Sequence, residues 1–400
     1  MEGKILWLRV FMPFAAGYFL SYLFRNVNAV IAPELTHEFG VSAADLGLLT
    51  SAYLVAFGAF QLPLGILLDR FGPRRVESLL LLVTAIGAAL FALGKNLPQL
   101  VLARALIGLG VSACLMASFK AFSQWFPIER RAALNSAIMA AGGLGALTAS
   151  VPFGWALPLI GWRGAFFALS GLSVLAGLLI FTIPDKPAEA VRESLAEQLR
   201  GLARVISSRI FWRFAPQTGL IVGGFMAIQG LWAVPWLMNF SGYTREVAAA
   251  HLFLTSIGML TGFISVAAFI TRLARRGISP ERIMIAGIAG GLLTSLLIVM
   301  GVMSTKLLWL VMGIVFSVGN LSYALLARHF PAQLIGRANT ALNLLTFAGA
   351  FAVQWGFGAL VDVFTASGLS AHDAFQRSFA LLLLLQVASF AWFLAGRTKD

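Results

Sequence analysis

Tyr18, Tyr22, Arg25 and Asn28 follow one another at intervals of four, three and three inside a run of otherwise apolar residues. That spacing puts all four on one face of a helix. Their chemistry is anion recognition. A guanidinium offers a planar fork of N–H donors that matches a carboxylate or a phosphate, and the tyrosine hydroxyls and asparagine amide add neutral hydrogen bonds. Lys120, within Ser118-Phe-Lys120-Ala-Phe-Ser-Gln-Trp125, is a second basic candidate near the end of another apolar run. Farther along, Gln229 shares a helical face with Trp232, and Asn339 shares one with Asn343. The candidate substrate-binding set is therefore Tyr22, Arg25, Asn28, Lys120, Gln229, Trp232 and Asn343. Each has a plainer reading, since Arg25 and Lys120 can reach out to headgroups and the amides can bind neighbouring helices.

These residues need apolar helices to carry them, and the composition supplies such helices. Of the 400 residues 59% are hydrophobic and 11% charged, more apolar surface than a soluble core can bury. About twelve apolar stretches are long enough to span a bilayer, near 10–32, 46–68, 76–94, 98–122, 133–158, 164–183, 214–238, 248–270, 283–304, 307–328, 338–361 and 378–395. The first lacks a small-residue cleavage site and reads as a membrane helix rather than a removed signal. Pro33 and Ser42-Ala-Ala-Asp45, which has capping-box spacing, bracket the first external turn. The class is all-α, a polytopic membrane protein.

The net charge of +13 does not point to nucleic acid. Its cations lie in short segments between apolar runs, where anionic lipid is the natural partner. Lys4, Arg9, Arg70, Arg74, Arg75, Arg130, Arg131, Arg272, Arg275, Arg276, Arg282, Arg337, Arg397 and Lys399 all fall on one side of the twelve-span layout. Both termini are therefore expected in the cytoplasm. Between spans six and seven the polar segment 184–213, with Leu195, Leu199 and Leu202, reads as an interfacial amphipathic helix or a solvated linker. It divides the chain into an N-terminal six-helix bundle, 1–183, and a C-terminal one, 214–400. A single cysteine, Cys114, excludes an intrachain disulfide and a multi-cysteine metal site. No metal or cofactor is expected, and no paired acid, nucleophile–base set or cofactor loop suggests an enzyme.

The turn Gly65-Ile-Leu-Leu-Asp69-Arg70-Phe-Gly72-Pro-Arg74-Arg75 between spans two and three resembles the signature loop of the major facilitator superfamily. Arg104-Ala-Leu-Ile-Gly108-Leu-Gly110 in span four resembles that superfamily's second motif. Gly161-Trp162-Arg163 before Phe166-Phe167, and Pro331 to Arg337, are further habits of the family. The resemblance implies two six-helix halves that rock about a central site. It also implies that Asp69, with Arg70, Arg74 and Arg75, latches the ends of the halves in one state. A weaker copy of the turn, without the acid, lies at Arg272, Arg275, Arg276 and Gly277.

Tyr22-Leu-Phe-Arg25-Asn-Val-Asn28 is similar to the first helix of the organic-anion branches, the organophosphate exchangers and anion–cation symporters, in which the arginine binds a carboxylate or phosphate. Phe24 and Val111 stand where many proton-coupled members of those branches carry acids. Glu77 and Asp362 fall near span ends, so no carboxylate proton relay is expected, and coupling is left to a histidine such as His251, which also has a structural or interfacial reading, to the substrate's own proton or to exchange. Span five has Gly142-Gly143-Leu-Gly145 and Pro152-Phe-Gly154, which separates the glycine and proline that drug–proton antiporters join. The expectation is a monomeric secondary transporter of a small organic anion in a bacterial inner membrane. Efflux of hydrophobic drugs and transport of copper or a metal complex, the latter suggested by Cys114, Met116, Met226, Met238 and Met259, stay open as alternatives.

Overall fold

The computed structural model describes residues 7–184, 195–302 and 305–396. Among them helix is the only regular structure. Lipid offers no partner for a backbone N–H or C=O, so each spanning segment must satisfy its own. Lys4, Arg397, Lys399 and linker residues 185–194 lie outside the described residues.

Nine helices among the described residues are long and apolar enough to cross a membrane. One of them, Ala43–Leu93, is two spans. Gly72, at φ 77° and ψ 160°, breaks it just after Asp69 and Arg70, in a region of backbone space open essentially to glycine alone. Gly161, at φ 66°, likewise splits Val151–Phe181 into the end of span five, 151–160, and span six, 162–181. Met12–Phe39 is span one and Ile128–Thr148 begins span five, which completes twelve. The others are span four, Leu97–Trp125; seven, Arg209–Ser241; eight, Arg245–Arg275; nine, Pro280–Val299; ten, 305–327; eleven, Ala332–Ala366; and twelve, Ala371–Ala395.

Two boundaries differ from expectation for local reasons. Span one continues through Pro33 to Phe39 and stops at Gly40, whose φ of 60° closes the turn with its N–H on the Thr36 carbonyl. Proline removes one helical hydrogen bond, and a well-packed helix tolerates that loss. Span seven starts at Arg209, inside the expected linker, because the Ser208 hydroxyl accepts the Phe211 N–H and caps the helix. Ahead of it, Leu195–Ile206 is a helix, the first of the two readings open for the polar segment. Its buried positions include Val205, whereas Leu199 is exposed. The capping box is present as expected, with Asp45 N–H on Ser42 Oγ and Ser42 N–H on Asp45 Oδ2, each at 3.1 Å.

The chain divides into two compact units, Met1–Val41 with Ala52–Leu195, and Ser42–Ser51 with Ala196–Asp400. In the first, an aromatic core joins spans one, three and six. Phe91 stacks on Phe166 at 4.3 Å, and Trp162 meets Phe91 edge-on at 5.6 Å. Span five lies directly on span one because Gly145 has no side chain. A Cβ there would collide with the Phe19 carbonyl oxygen and stand 3.0 Å from its carbon. In the second unit, Asp362 near the end of span eleven accepts the N–H groups of Ala43 and Ala44 at 3.0 and 2.8 Å. This carboxylate at a helix N-terminus accounts for the grouping of Ser42–Ser51 with residues 196–400.

Candidate anion-binding site in the first unit

Span one carries its polar stripe into the interior of the first unit. Tyr18 is buried, with its hydroxyl 3.6 Å from the Met139 sulfur of span five and its ring edge-on to Tyr22 at 5.2 Å. Both rings can lie there because span five presents Gly142, where a Cβ would come within 2.6 Å of Tyr18 and 2.9 Å of Tyr22. Arg25 is half-buried. Its guanidinium carbon lies 4.7 Å from the Tyr22 ring centroid and 5.2 Å from that of Phe57 on span two. Tyr18, Tyr22 and Tyr53 are its electrostatic neighbours. Aromatic faces hold a cation while leaving its charge in place, so Arg25 is fixed in position and still positive. Asn28, one turn on, is fully buried, so the stripe is not evenly accessible.

Arg104 holds the backbone that carries Arg25. It is fully buried, and its Nη1 and Nη2 both donate to the Phe24 carbonyl at 3.1 Å. Its guanidinium lies over Tyr53 and Phe91 at 5.2 and 5.8 Å. The Tyr53 hydroxyl donates to the Ser21 carbonyl at 3.1 Å, one turn before Arg25. Gly108, one turn beyond Arg104, lets span four rest against the Tyr53 backbone, with 2.8 Å from its would-be Cβ to the Tyr53 Cα. Spans two and four thus grip span one by its carbonyls, on both sides of the arginine.

Lys120 is placed elsewhere. Its Nζ is ion-paired with Asp69 Oδ1, which ties span four to the end of span two. A lysine already held by a carboxylate is a poorer ligand for a second anion. Nearby, Arg74 donates to the Ile183 carbonyl at 2.9 Å and lies 4.8 Å from the Phe181 ring, joining the start of span three to the end of span six. Arg70 lies beside Phe71 at 5.2 Å. Arg70 and Arg75 are exposed, while Gly65 is half-buried in span two.

The second-unit candidates sit in packed surroundings. Gln229 Nε2 donates to Ser256 Oγ at 3.2 Å, and Trp232 Nε1 donates to the Gln354 carbonyl at 2.9 Å. Both side chains are buried, and the Trp232 ring lies 4.9 Å from Phe357. Asn343 is half-buried, with its Oδ1 accepting from the Tyr323 hydroxyl at 3.1 Å. That hydroxyl is also 2.9 Å from Thr346 Oγ1. His251 is buried, with Nδ1 2.7 Å from the Val247 carbonyl of its own helix.

Tyr53, Phe57, Met139 and Tyr323 were not among the expected site residues. Tyr53 and Phe57 stand four apart on span two, so their shared face was readable, but nothing in spacing pairs them with a residue about thirty positions away. Glu77 lies near the start of span three, as expected, and it is fully buried there, beside the thiol of Cys114.

The fold and these motifs have counterparts. Curated proteins similar to this chain include a probable sulfoacetate transporter of Cupriavidus necator, 29% identical over 186 residues, 45% of this chain and 43% of that protein. A probable L-galactonate transporter of Escherichia coli K12 is 28% identical over 250 residues, 60% of this chain and 54% of that protein. The hexuronate transporter of the same organism is 30% identical over 171 residues, 42% and 40% of the two chains. The chain thus spans about half the length of the curated relatives it matches. Among solved structures, the D-xylose–proton symporter superposes with a TM-score of 0.78 at 18% identity, covering 96% of this chain and 97% of that one. A bacterial homolog of the human lysosomal transporter Spinster superposes with a TM-score of 0.76 at 16% identity, covering 98% and 97%. At such identities the likeness is one of fold. The family model of the Major Facilitator Superfamily matches residues 14–354, and the chain belongs to that superfamily.

Proposed function

We propose that this chain is a secondary transporter that carries a small organic anion across a bacterial inner membrane by alternating access, with both termini in the cytoplasm. Arg25 is the group that receives the anion's carboxylate or sulfonate. The observation that carries this reading is the setting of Arg25, a half-buried guanidinium held on the faces of Tyr22 and Phe57 inside a spanning helix. A cation inside a membrane is costly and marks a substrate path by default, and a guanidinium fork favours a planar oxyanion. Relatives named for sulfoacetate, galactonate and hexuronate transport, all organic anions, support the same class of cargo. Tyr18 and Tyr22 supply neutral hydrogen-bonding groups beside the charge, and Asn343 is taken as a further ligand, half-buried and bonded to Tyr323. The protein works as a monomer in this reading.

Ligand-induced stabilisation tests it without a flux assay. A ligand present at a hundred times its Kd stabilises the folded state by about 2.7 kcal/mol, which raises a melting temperature by several degrees. Purified protein in detergent is expected to show this rise with galactonate, a hexuronate or sulfoacetate, and Arg25→Gln is expected to lose it. An equal rise in Arg25→Gln, or a rise only with cationic drugs, contradicts the assignment.

A further inference from the structure

Glu77 is the one acid among the described residues whose side chain is fully buried. It stands on span three, five residues past the break at Gly72. Span one covers it with Gly17, where a Cβ would lie 2.5 Å from Glu77 Oε1 and 3.6 Å from Leu81. The carboxyl therefore fills a gap left by a missing side chain. Span four contributes the buried thiol of Cys114 beside it. Span six presents Gly177, whose would-be Cβ lies 3.2 Å from the neighbouring Ser78 carbonyl and which brings no charge. On its own helix, Arg74, one turn earlier, donates instead to the Ile183 carbonyl. Tyr18, next to Gly17, turns its hydroxyl to Met139.

No cation pairs with Glu77 among the described residues, and the neighbour placed to hydrogen-bond it is the neutral thiol of Cys114. A carboxyl with a structural role is normally hydrogen-bonded or ion-paired, and a charged one without partners inside a membrane bundle is far more costly than a neutral acid. An ionisable side chain in such surroundings marks a substrate, ion or proton path by default. Gly17 also links this carboxyl to the anion site, since Arg25 lies eight residues farther along the same helix, about 12 Å along its axis.

We propose that Glu77 is a proton-binding site of the transport cycle. The carboxylate takes a proton from water on one side of the membrane as spans one, three and four close over it, holds it as a neutral acid while they are packed as described, and returns it to water on the other side when span one moves off. Movement of span one with a bound anion at Arg25 then carries one proton with the anion. This inference rests on the transport reading above.

Infrared spectroscopy of the reconstituted protein tests the proton site independently of any substrate. The difference spectrum between wild type and Glu77→Gln is expected to show the carbonyl-stretch band of one neutral carboxylic acid. Glu77→Asp, which keeps the acid on a shorter stem, is expected to shift that band, and it serves if Glu77→Gln does not fold. In proteoliposomes, an inward proton gradient is expected to drive anion accumulation by the wild type several-fold above equilibrium. Glu77→Gln is expected to lose that accumulation while still exchanging labelled for unlabelled anion at equal pH. A missing acid band, or accumulation by Glu77→Gln equal to wild type, overturns the proposal. A wild type that keeps the Glu77 band but moves none of the anions supports the proton site and overturns the anion reading.

Discussion

Arg25→Ala lowers organic-anion uptake into proteoliposomes by two orders of magnitude or more, while the protein stays folded and monodisperse. Removing one partner of a buried, hydrogen-bonded charge pair costs about 2–5 kcal/mol, or roughly thirtyfold to several thousandfold in affinity. The upper part of that range applies because the site offers no equivalent cation. Lys120 is engaged by Asp69, and Arg104 is bonded to the Phe24 carbonyl. Folding is spared because the electrostatic neighbours of Arg25 are tyrosines rather than carboxylates, so a smaller side chain leaves no buried charge unpaired, and the rings of Tyr22 and Phe57 can close on it. Arg25→Lys is expected to recover only part of the uptake. An ammonium keeps the charge but lacks both the fork and the flat face that lies along Tyr22. Initial rates of labelled galactonate uptake, normalised to reconstituted protein, make the comparison. Arg25→Ala at wild-type rate removes Arg25 from the site.

Gly145→Leu is the most damaging single change expected in the first unit. The Cβ alone would collide with the Phe19 carbonyl oxygen of span one, and the atom it meets is backbone, which cannot rotate away. Forcing extra carbons into a packed interface costs about 1–3 kcal/mol where side chains can yield, and more where they cannot. Spans one and five must separate. Tyr18 then leaves Met139, and both tyrosine rings lose their seat against Gly142. The measurement is thermal unfolding in detergent together with uptake. Gly145→Leu is expected to lower the melting temperature by about 5–10 °C and to abolish uptake. Gly171→Leu is the matched control, since a Cβ at Gly171 has nothing within 4 Å, and it is expected to leave both unchanged.

The frame of this protein was legible because its signals are local. Apolar length marked the spans, Gly72 and its arginines marked the turn between spans two and three, and Ser42 with Asp45 marked a helix start. Span one showed where periodicity succeeds. The stripe Tyr18, Tyr22, Arg25 was visible as a face, and the structure puts that face inside the first unit. What spacing could not supply was the partner across the bundle. The ion pair of Lys120 with Asp69, fifty-one residues away, could not be read from spacing. The hydrogen bond from the Trp232 indole to the Gln354 carbonyl, 122 residues away, is equally invisible in the spacing. Glu77 is the clearest case. Its position near a span end was legible and its burial was not, since a glycine sixty residues earlier lets span one close over it. Burial in a membrane bundle depends on which small residues face each other, which helical periodicity does not encode.

The most direct test of the central claim is flux by the wild-type protein. Proteoliposomes are supplied in parallel with galactonate, a hexuronate, sulfoacetate, a phosphate ester, an uncharged sugar, a cationic drug and copper. Saturable uptake of one or more of the organic anions, competed by the others and absent for the sugar, the drug and copper, is the predicted result. Uptake confined to the cationic drug or to copper, unchanged by Arg25→Ala, contradicts it.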